Sequence, residues 1–295
     1  MHEQKFEFER GRGVVWVCDI ESTSKLLNHD ETAIAVEEFL PRFHWIAQAV
    51  VGAAGGQFVK WTGDGFLAWF ACNLHREIGK QGTAAVEAAW YLTSICNVTS
   101  LGVDSSKKFR LKHGIAVEHD ALITRISDER RAAFDLIGRA VVLAFRLTGI
   151  RSQFPGIVAQ KEVIDVLDLA RVPKMGFKKL RVNAEDRLRY FKGERWGTGN
   201  LVASVDRQSR VKSKASAVRK AKRAISQAEG IAPINDGRYE FLLSLFQRIE
   251  EGPEWAKATK LEFSRYIRDD LLGSLKKVVQ MLETDEEAVS EPSKI

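Results

Sequence analysis

Two aspartates have the residue types and positions best suited to chemistry in this 295-residue chain. Asp64 lies in the sequence TGDG (residues 62–65), between the apolar runs 58–61 and 66–70. Glycines on both sides of one carboxylate predict a β-hairpin with the acid exposed at its tip. A carboxylate there can bind a hard cation, but Asp and Gly are also ordinary turn residues. The hairpin alone leaves both interpretations open.

Asp19 follows the apolar run 14–18, which predicts a fully buried strand that ends at this acid. The small hydroxyl residues that follow, including Ser22 and Thr23, predict a turn into a helix. Backbone N–H groups at such a turn are free to face phosphate oxygens. Two strand-end carboxylates and this turn therefore indicate a metal–triphosphate site.

Three segments together resemble the class III nucleotidyl cyclases, which include adenylate and guanylate cyclases. Residues 19–24 are similar to the family motif D-I-x-x-F/S-T, and residues 55–66 to G-G-x-x-x-K-x-x-G-D-x-x. Residues 135–146 are similar to an acid followed by x-x-G-x-x-V-N-x-A-x-R. The segments occur in the family order, and the resemblance extends over residues 10–195. It implies an α+β fold with a ferredoxin-like βαββαβ core.

The resemblance implies a two-metal site that cyclises a nucleoside triphosphate to a 3′,5′-cyclic nucleotide and pyrophosphate. Asp19 and Asp64 would bridge both ions, with the Ile20 carbonyl as a further ligand. Ligation by oxygen alone favours Mg²⁺ or Mn²⁺ over Zn²⁺.

Three other residues match family positions. Arg146 corresponds to the catalytic arginine, which meets charge on the α-phosphoryl oxygens; its neighbours Val141 and Phe145 are expected in the core. Lys60 and Asp135 correspond to the pair that reads the base, in the combination associated with adenine. A lysine donor and an ionised acid suit a ring-nitrogen acceptor beside an amine, which cytosine offers as well and guanine does not.

Two positions depart from the family pattern. Val142 replaces the asparagine that holds the ribose, and the phosphate-gripping lysine has no unambiguous counterpart, although Lys179 or Arg181 can serve. Either the ribose is positioned differently or activity is impaired. The alternative to an enzyme is a catalytically silent cyclase fold that binds nucleotide and regulates a partner.

The resemblance also concerns assembly and product. In the family the metal acids and the base-reading pair with the arginine come from different subunits, so a chain with both sets should form a head-to-tail homodimer with composite sites. A short chain with one cyclase domain and no ribose asparagine also resembles the uridylate and cytidylate cyclases of bacterial antiphage (Pycsar) systems. Pyrimidine and adenine products stay open.

Composition sets the broader expectations. The predicted organisation is a catalytic domain over residues 1–203, a helical C-terminal extension over 204–283 and a disordered tail over 284–295. The chain has neither an apolar run long enough to cross a bilayer nor a secretory signal, which favours the cytoplasm. The net charge of +6 is concentrated in residues 207–223, which have no interleaved aromatics. A solvated helix or linker is favoured there over a nucleic-acid-binding surface.

Overall fold

A computed structural model of the chain describes residues 5–21, 23–99, 101, 103, 109–127, 132–150, 156–167, 175–179, 201–206 and 238–264. Several predicted features lie outside these residues: Ser22, Arg181, the basic stretch 207–223 and the tail 284–295. None of the described helices is both long and apolar enough to span a bilayer.

Eight strands and seven α-helical segments make up the described fold. The strands are β1 (Lys5–Ile20), β2 (Gln57–Trp61), β3 (Phe66–Cys72), β4 (Leu111–Ser127), β5 (Ala132–Ile137), β6 (Ile157–Gln160), β7 (Met175–Lys179) and β8 (Leu201–Asp206). The helices are α1 (Thr23–Leu26), α2 (Asp30–Ala53), α3 (Ile78–Thr99), α4 (Arg139–Gly149), α5 (Lys161–Asp165) and α6 (Arg238–Glu250), with a 3₁₀ turn at His75–Glu77. Residues 254–264 are also helical.

Six elements form the predicted βαββαβ unit, in the chain order β1-α2-β2-β3-α3-β4. Its strands lie in the order β2-β3-β1-β4 and each neighbouring pair is antiparallel. This is the ferredoxin-like arrangement, which confirms the predicted fold class. The sheet continues through β6, β8 and β7, while β5 pairs with β4 alone.

Residues 14–18 of the central strand β1 are buried on both faces, as their continuous apolar run predicts. Val14, Trp16 and Cys18 point into the core under α2 and α3. Val15 and Val17 point into a second core, on the face that α4 covers. The alternation follows from the two-residue period of a strand. It fixes the register that brings Asp19 to the end of β1.

Two local predictions need correction. The sequence pattern predicts two strands, over 108–117 and 121–125, but β4 is one strand, with a bulge opposite Arg12 of β1. The bulge accommodates the polar pair His119 and Asp120 without ending the ladder. A proline within an apolar helical stripe predicts a kink or a restart at Pro41. The helix does not restart, because α2 continues through Pro41, which is exposed.

The described part of the C-terminal extension packs onto the cyclase-like core. Leu245 and Ile249 of α6 are buried in the same core as α2, and Phe241 stacks on Tyr91 of α3. Trp255 meets Trp45 of α2 edge to face. β8 runs across the predicted boundary at 203/204, and the division into domains stays a prediction.

His113 on β4, for which the sequence predicts a structural or an exposed position, is a structural residue. It is buried, and the Trp16 indole N–H donates to its Nδ1 over 3.1 Å. Its Nε2 lies 2.7 Å from the Thr93 hydroxyl, which donates to the Ala89 carbonyl. Because Nδ1 accepts, the neutral imidazole with its proton on Nε2 satisfies every partner. Burial lowers the pKa of His113 to about 3.

This network predicts a loss of stability in acid. Between pH 6.5 and 3 the unfolded chain binds a proton that folded His113 excludes, so this residue costs about 3 kcal/mol at pH 4 relative to pH 7. Asp19 has the opposite effect on stability in acid. Its pKa is raised to about 6, so the folded state binds this proton more tightly than the unfolded state does. The comparison of wild type with His113→Gln by urea unfolding isolates the histidine: the wild-type advantage should shrink by that amount from pH 7 to 4. A constant advantage would show that the pKa of the imidazole is not lowered.

Candidate active site

The structure brings Asp19 and Asp64 into contact. Asp19 ends β1, and Asp64 lies in the turn between β2 and β3, whose Phe66 pairs with Cys18 of β1. A Cβ on Gly65 would lie 2.1 Å from the Cys18 carbonyl oxygen, so only glycine lets the turn lie this close to β1. Asp64 is therefore half-buried beside Asp19, not exposed at a free tip as the sequence predicts.

The surroundings of Asp19 disturb its ionisation. Burial, the negative charge of Asp64 and a hydrogen bond with it raise the pKa of Asp19 to about 6. Two acids that share a site in this way repel when both are ionised. A divalent cation relieves that repulsion, and carboxylate oxygens are the ligands that Mg²⁺ and Mn²⁺ prefer. The residues present fit the predicted metal site.

Lys112 is a neighbour of the acids that sequence reasoning missed. It pairs with Asp19 across the β1–β4 ladder, lowers the pKa of Asp19 in part, and forms an ion pair with Glu21 over 3.3 Å. The sequence does contain a signal for Lys112: one apolar strand ends near an acid and another begins near a cation. The pairing of the two strands, however, cannot be predicted from either strand alone. Lys112 adds a positive charge beside Asp19 and the following turn, which is predicted to bind phosphate.

Some N–H and O–H groups of the turn after Asp19 form hydrogen bonds within the protein and are therefore not free to bind a ligand. Thr23 is buried and its hydroxyl donates to the Ile20 carbonyl over 3.1 Å. The Glu21 N–H donates to the Arg110 carbonyl. The phosphate-binding role predicted for Thr23 would thus rest on its backbone N–H. The Ile20 carbonyl has a second lone pair with which to ligate a metal.

Lys60 and Asp135 form the second pair that the structure brings together. The ammonium of Lys60 on β2 lies 2.7 and 2.8 Å from the two carboxylate oxygens of Asp135 on β5. Both side chains are nearly half exposed, so the ion pair contributes little to stability and a ligand can separate it at small cost. Lys60 is two strands, or about 10 Å, across the sheet from Asp19.

Trp61, the neighbour of Lys60, is a candidate to narrow the base pocket, although the two-residue period of a strand favours the opposite face. It lies on that opposite face, stacks on His44 with ring centroids 3.6 Å apart and packs against Phe58 and Phe66. The period of the strand places it in the core. Trp61 does not contract the pocket.

Arg146 is half-buried on α4, which lies close to the sheet. A Cβ on Gly114 of β4 would lie 2.0 Å from the Ala144 carbonyl oxygen, and the buried Glu118 carboxylate accepts from the Ala140 N–H at the start of the helix. Glycine and glutamate on β4 thereby fix the position of the arginine. Neither was identified from the sequence, because their role depends on which helix packs on β4.

The outer side of α4 carries exposed apolar side chains. Val142 precedes Arg146 by one turn and is 49% exposed, and Phe145, expected in the core, is 37% exposed. Ile137 at the end of β5 is 59% exposed, whereas Val141 packs against the second core as expected. Lys179 belongs to β7, at the far edge of the sheet, and its side chain lies outside the described residues.

Comparison with solved structures identifies the fold. The adenylyl cyclase CyaB from P. aeruginosa superposes with a TM-score of 0.51 at 18% identity, over 70% of this chain and 99% of that one. The chain has the fold of the nucleotide cyclases. Weaker matches are the guanylyl cyclase Cya2 (TM-score 0.44, 18% identity, 60% of this chain and 87% of that one) and the adenylate/guanylate cyclase/hydrolase from Silicibacter pomeroyi (0.43, 24%, 60% and 92%). No protein-family model matches the sequence, and a comparison with curated proteins finds no match.

Proposed function

We propose that the protein is a metal-dependent nucleotide cyclase that converts a nucleoside triphosphate to its 3′,5′-cyclic monophosphate and pyrophosphate. The observation that carries the proposal is the contact between Asp19 and Asp64 on a cyclase fold. An ordinary hairpin turn does not need a second carboxylate against the first, which is unfavourable without a cation.

Each group has a role in the proposed reaction. Asp19, Asp64 and the Ile20 carbonyl hold two Mg²⁺ or Mn²⁺ ions, which when bound lower the pKa of the ribose 3′-hydroxyl and neutralise the phosphates. Arg146 stabilises charge on the α-phosphoryl oxygens. Lys60 and Asp135 orient the base. In the reaction the 3′-oxygen forms a bond to the α-phosphorus, the bond to the β-phosphate oxygen breaks, and the 3′-proton passes to solvent.

The base is proposed to be adenine or a pyrimidine, since the pair offers one donor and one acceptor. A pyrimidine product would accord with the resemblance to antiphage cyclases. Trp61 stacks on His44 in the core, so it does not narrow a base pocket at Lys60. The proposed enzyme is a homodimer with composite active sites, and its proposed location is the cytoplasm.

The test is to incubate the full-length protein with each of the four NTPs and Mn²⁺ and to identify cyclic products by mass spectrometry. One cyclic nucleotide formed in preference supports the proposal. No cyclic product from any NTP, with nucleotide binding intact, overturns it and favours the silent regulator. The specific observation behind that second candidate is Val142, an exposed apolar side chain at the position where the ribose needs a hydrogen-bonding partner.

The geometry of Lys60 and Asp135 predicts that GTP is the poorest substrate. Guanine presents a carbonyl and a protonated ring nitrogen where this pair suits the opposite pattern. Replacing Asp135 by Ala should reduce discrimination against GTP by roughly 1 to 3 kcal/mol, or about 5- to 150-fold in relative kcat/KM. Metal dependence should not change, because the pair is about 10 Å from Asp19. If GTP is preferred, or the ranking of the four nucleotides survives Asp135→Ala, these residues do not read the base.

A further inference from the structure

Three potential metal ligands meet at the end of the sheet opposite Asp19. They are His75 in the 3₁₀ turn after β3, His119 in the bulge of β4 and Glu162 in α5. One ring nitrogen of each histidine and one carboxylate oxygen all lie within 4.8 Å of one another. This cluster cannot be predicted from local sequence patterns, because its members are 44 and 43 residues apart along the chain.

The geometry is close to that of a bound ion. His119 Nε2 lies 2.9 Å from a Glu162 oxygen, and the His75 and His119 rings are nearly parallel, with centroids 5.8 Å apart. Tetrahedral coordination at about 2.0 to 2.1 Å places neighbouring ligand atoms about 3.3 Å apart. Since both histidines are exposed and Glu162 is partly so, small side-chain rotations reach that spacing.

The cluster also has outer support. The Gln160 amide donates to the second Glu162 oxygen over 3.3 Å, and its carbonyl accepts from the Val117 N–H over 3.0 Å. This chain orients the Glu162 carboxylate, as hydrogen bonds to metal ligands commonly do. The bulge turns His119 out of the regular ladder, a device often found beside functional sites.

The cluster is separate from the proposed active site. Lys112 pairs with Asp19, and His119 follows Lys112 by seven residues on the same strand, which corresponds to about 23 Å. Its ligands also differ in kind: two imidazoles and one carboxylate favour zinc and its neighbours over Mg²⁺.

We propose that His75, His119 and Glu162 bind one Zn²⁺ ion, with water in the remaining position. The ion ties the segment after β3, the bulge of β4 and α5 to one another. Because binding requires the folded arrangement, Zn²⁺ stabilises the protein. The site does not depend on the proposed cyclase activity, and its test does not measure that activity.

The experiment is titration of the untagged, EDTA-treated and desalted full-length protein with Zn²⁺ by calorimetry, in excess Mg²⁺ to occupy Asp19 and Asp64. One equivalent should bind. His119→Ala should weaken binding at least about 100-fold, and Gln160→Ala by about 10- to 100-fold through the loss of orientation. Co²⁺ in place of Zn²⁺ should give the visible absorption of a tetrahedral site in wild type only.

The control is His29→Ala, which removes an exposed histidine before α2 and should leave the affinity unchanged. Glu162→Gln keeps the shape of the side chain, and the thermal midpoint of each metal-free variant shows that it folds. Wild-type affinity in both His119→Ala and Glu162→Gln would overturn the proposal, as would the absence of stoichiometric Zn²⁺ binding by the wild type.

Discussion

Asp64→Asn will reduce cyclisation at least about 100-fold, equivalent to roughly 3 kcal/mol of barrier, without lowering the stability of the metal-free protein. The substitution keeps the size of the side chain and the tight turn at Gly65, but it removes one of the two charges that hold the metal. It also removes the repulsion that raises the pKa of Asp19. The thermal midpoint without metal should therefore stay equal or rise while turnover disappears. Asp19→Asn should behave in the same way.

The matched control is Asp120→Asn. Asp120 is an exposed acid in the same sheet, paired with Arg10 at the opposite end from Asp19. Its replacement should leave turnover within about twofold. If Asp64→Asn or Asp19→Asn retains more than about a tenth of wild-type turnover, the two acids do not hold the catalytic metal.

These opposite effects on activity and stability separate a metal site from a structural turn. A carboxylate that only shaped the hairpin would lower the thermal midpoint when replaced and would change turnover in proportion to the unfolded fraction. A residue pair arranged for a cation instead carries unfavourable repulsion until the cation binds.

The sequence allowed prediction of the parts of the fold that local patterns determine. Continuous apolar residues identify β1, and TGDG between two apolar runs identifies the β2–β3 hairpin. The contact between Asp19 and Asp64 depends on a longer-range fact, the Cys18–Phe66 pairing. Only the family resemblance indicated that β1 and β3 pair, since neither strand's own sequence identifies its partner.

Residues that act through tertiary contacts were missed. Gly114 and Glu118 look like ordinary strand residues. Yet Gly114 lets α4 lie close to the sheet, and Glu118 binds the first turn of that helix. The sequence, with no carboxylate pattern around His119, predicts that this residue is structural or exposed, and it is exposed. Its contact with Glu162 could not be predicted. Glu162 reaches it through β6, which pairs with β4 in parallel.

Phe145, which flanks Arg146, is expected in the core. The helix buries Leu143, Ala144 and Leu147 and turns Phe145 outward. Val142, one helical turn before Arg146, is exposed as well. Large apolar side chains exposed beside a proposed catalytic residue favour contact with a second subunit over exposure to water.

Mixing Asp64→Ala with Arg146→Ala protein should restore activity if the sites are composite. In the mixed dimer one cleft lacks both residues, and the other combines intact acids from one subunit with an intact arginine from its partner. Random exchange makes about half of the dimers mixed, each with one good site of two, so activity should approach about a quarter of wild type. Each protein alone should be nearly inactive.

The control mixture pairs Asp19→Ala with Asp64→Ala. These acids belong to the same side of a composite cleft, so every cleft in the mixed dimer lacks one of them and activity should not return. Exchange is verified in both mixtures by differently tagged subunits that co-purify. No recovery in the first mixture despite exchange would place the acids and Arg146 in one chain's own site. Recovery in both mixtures would show that Asp19 and Asp64 serve different clefts, which their contact within one chain contradicts.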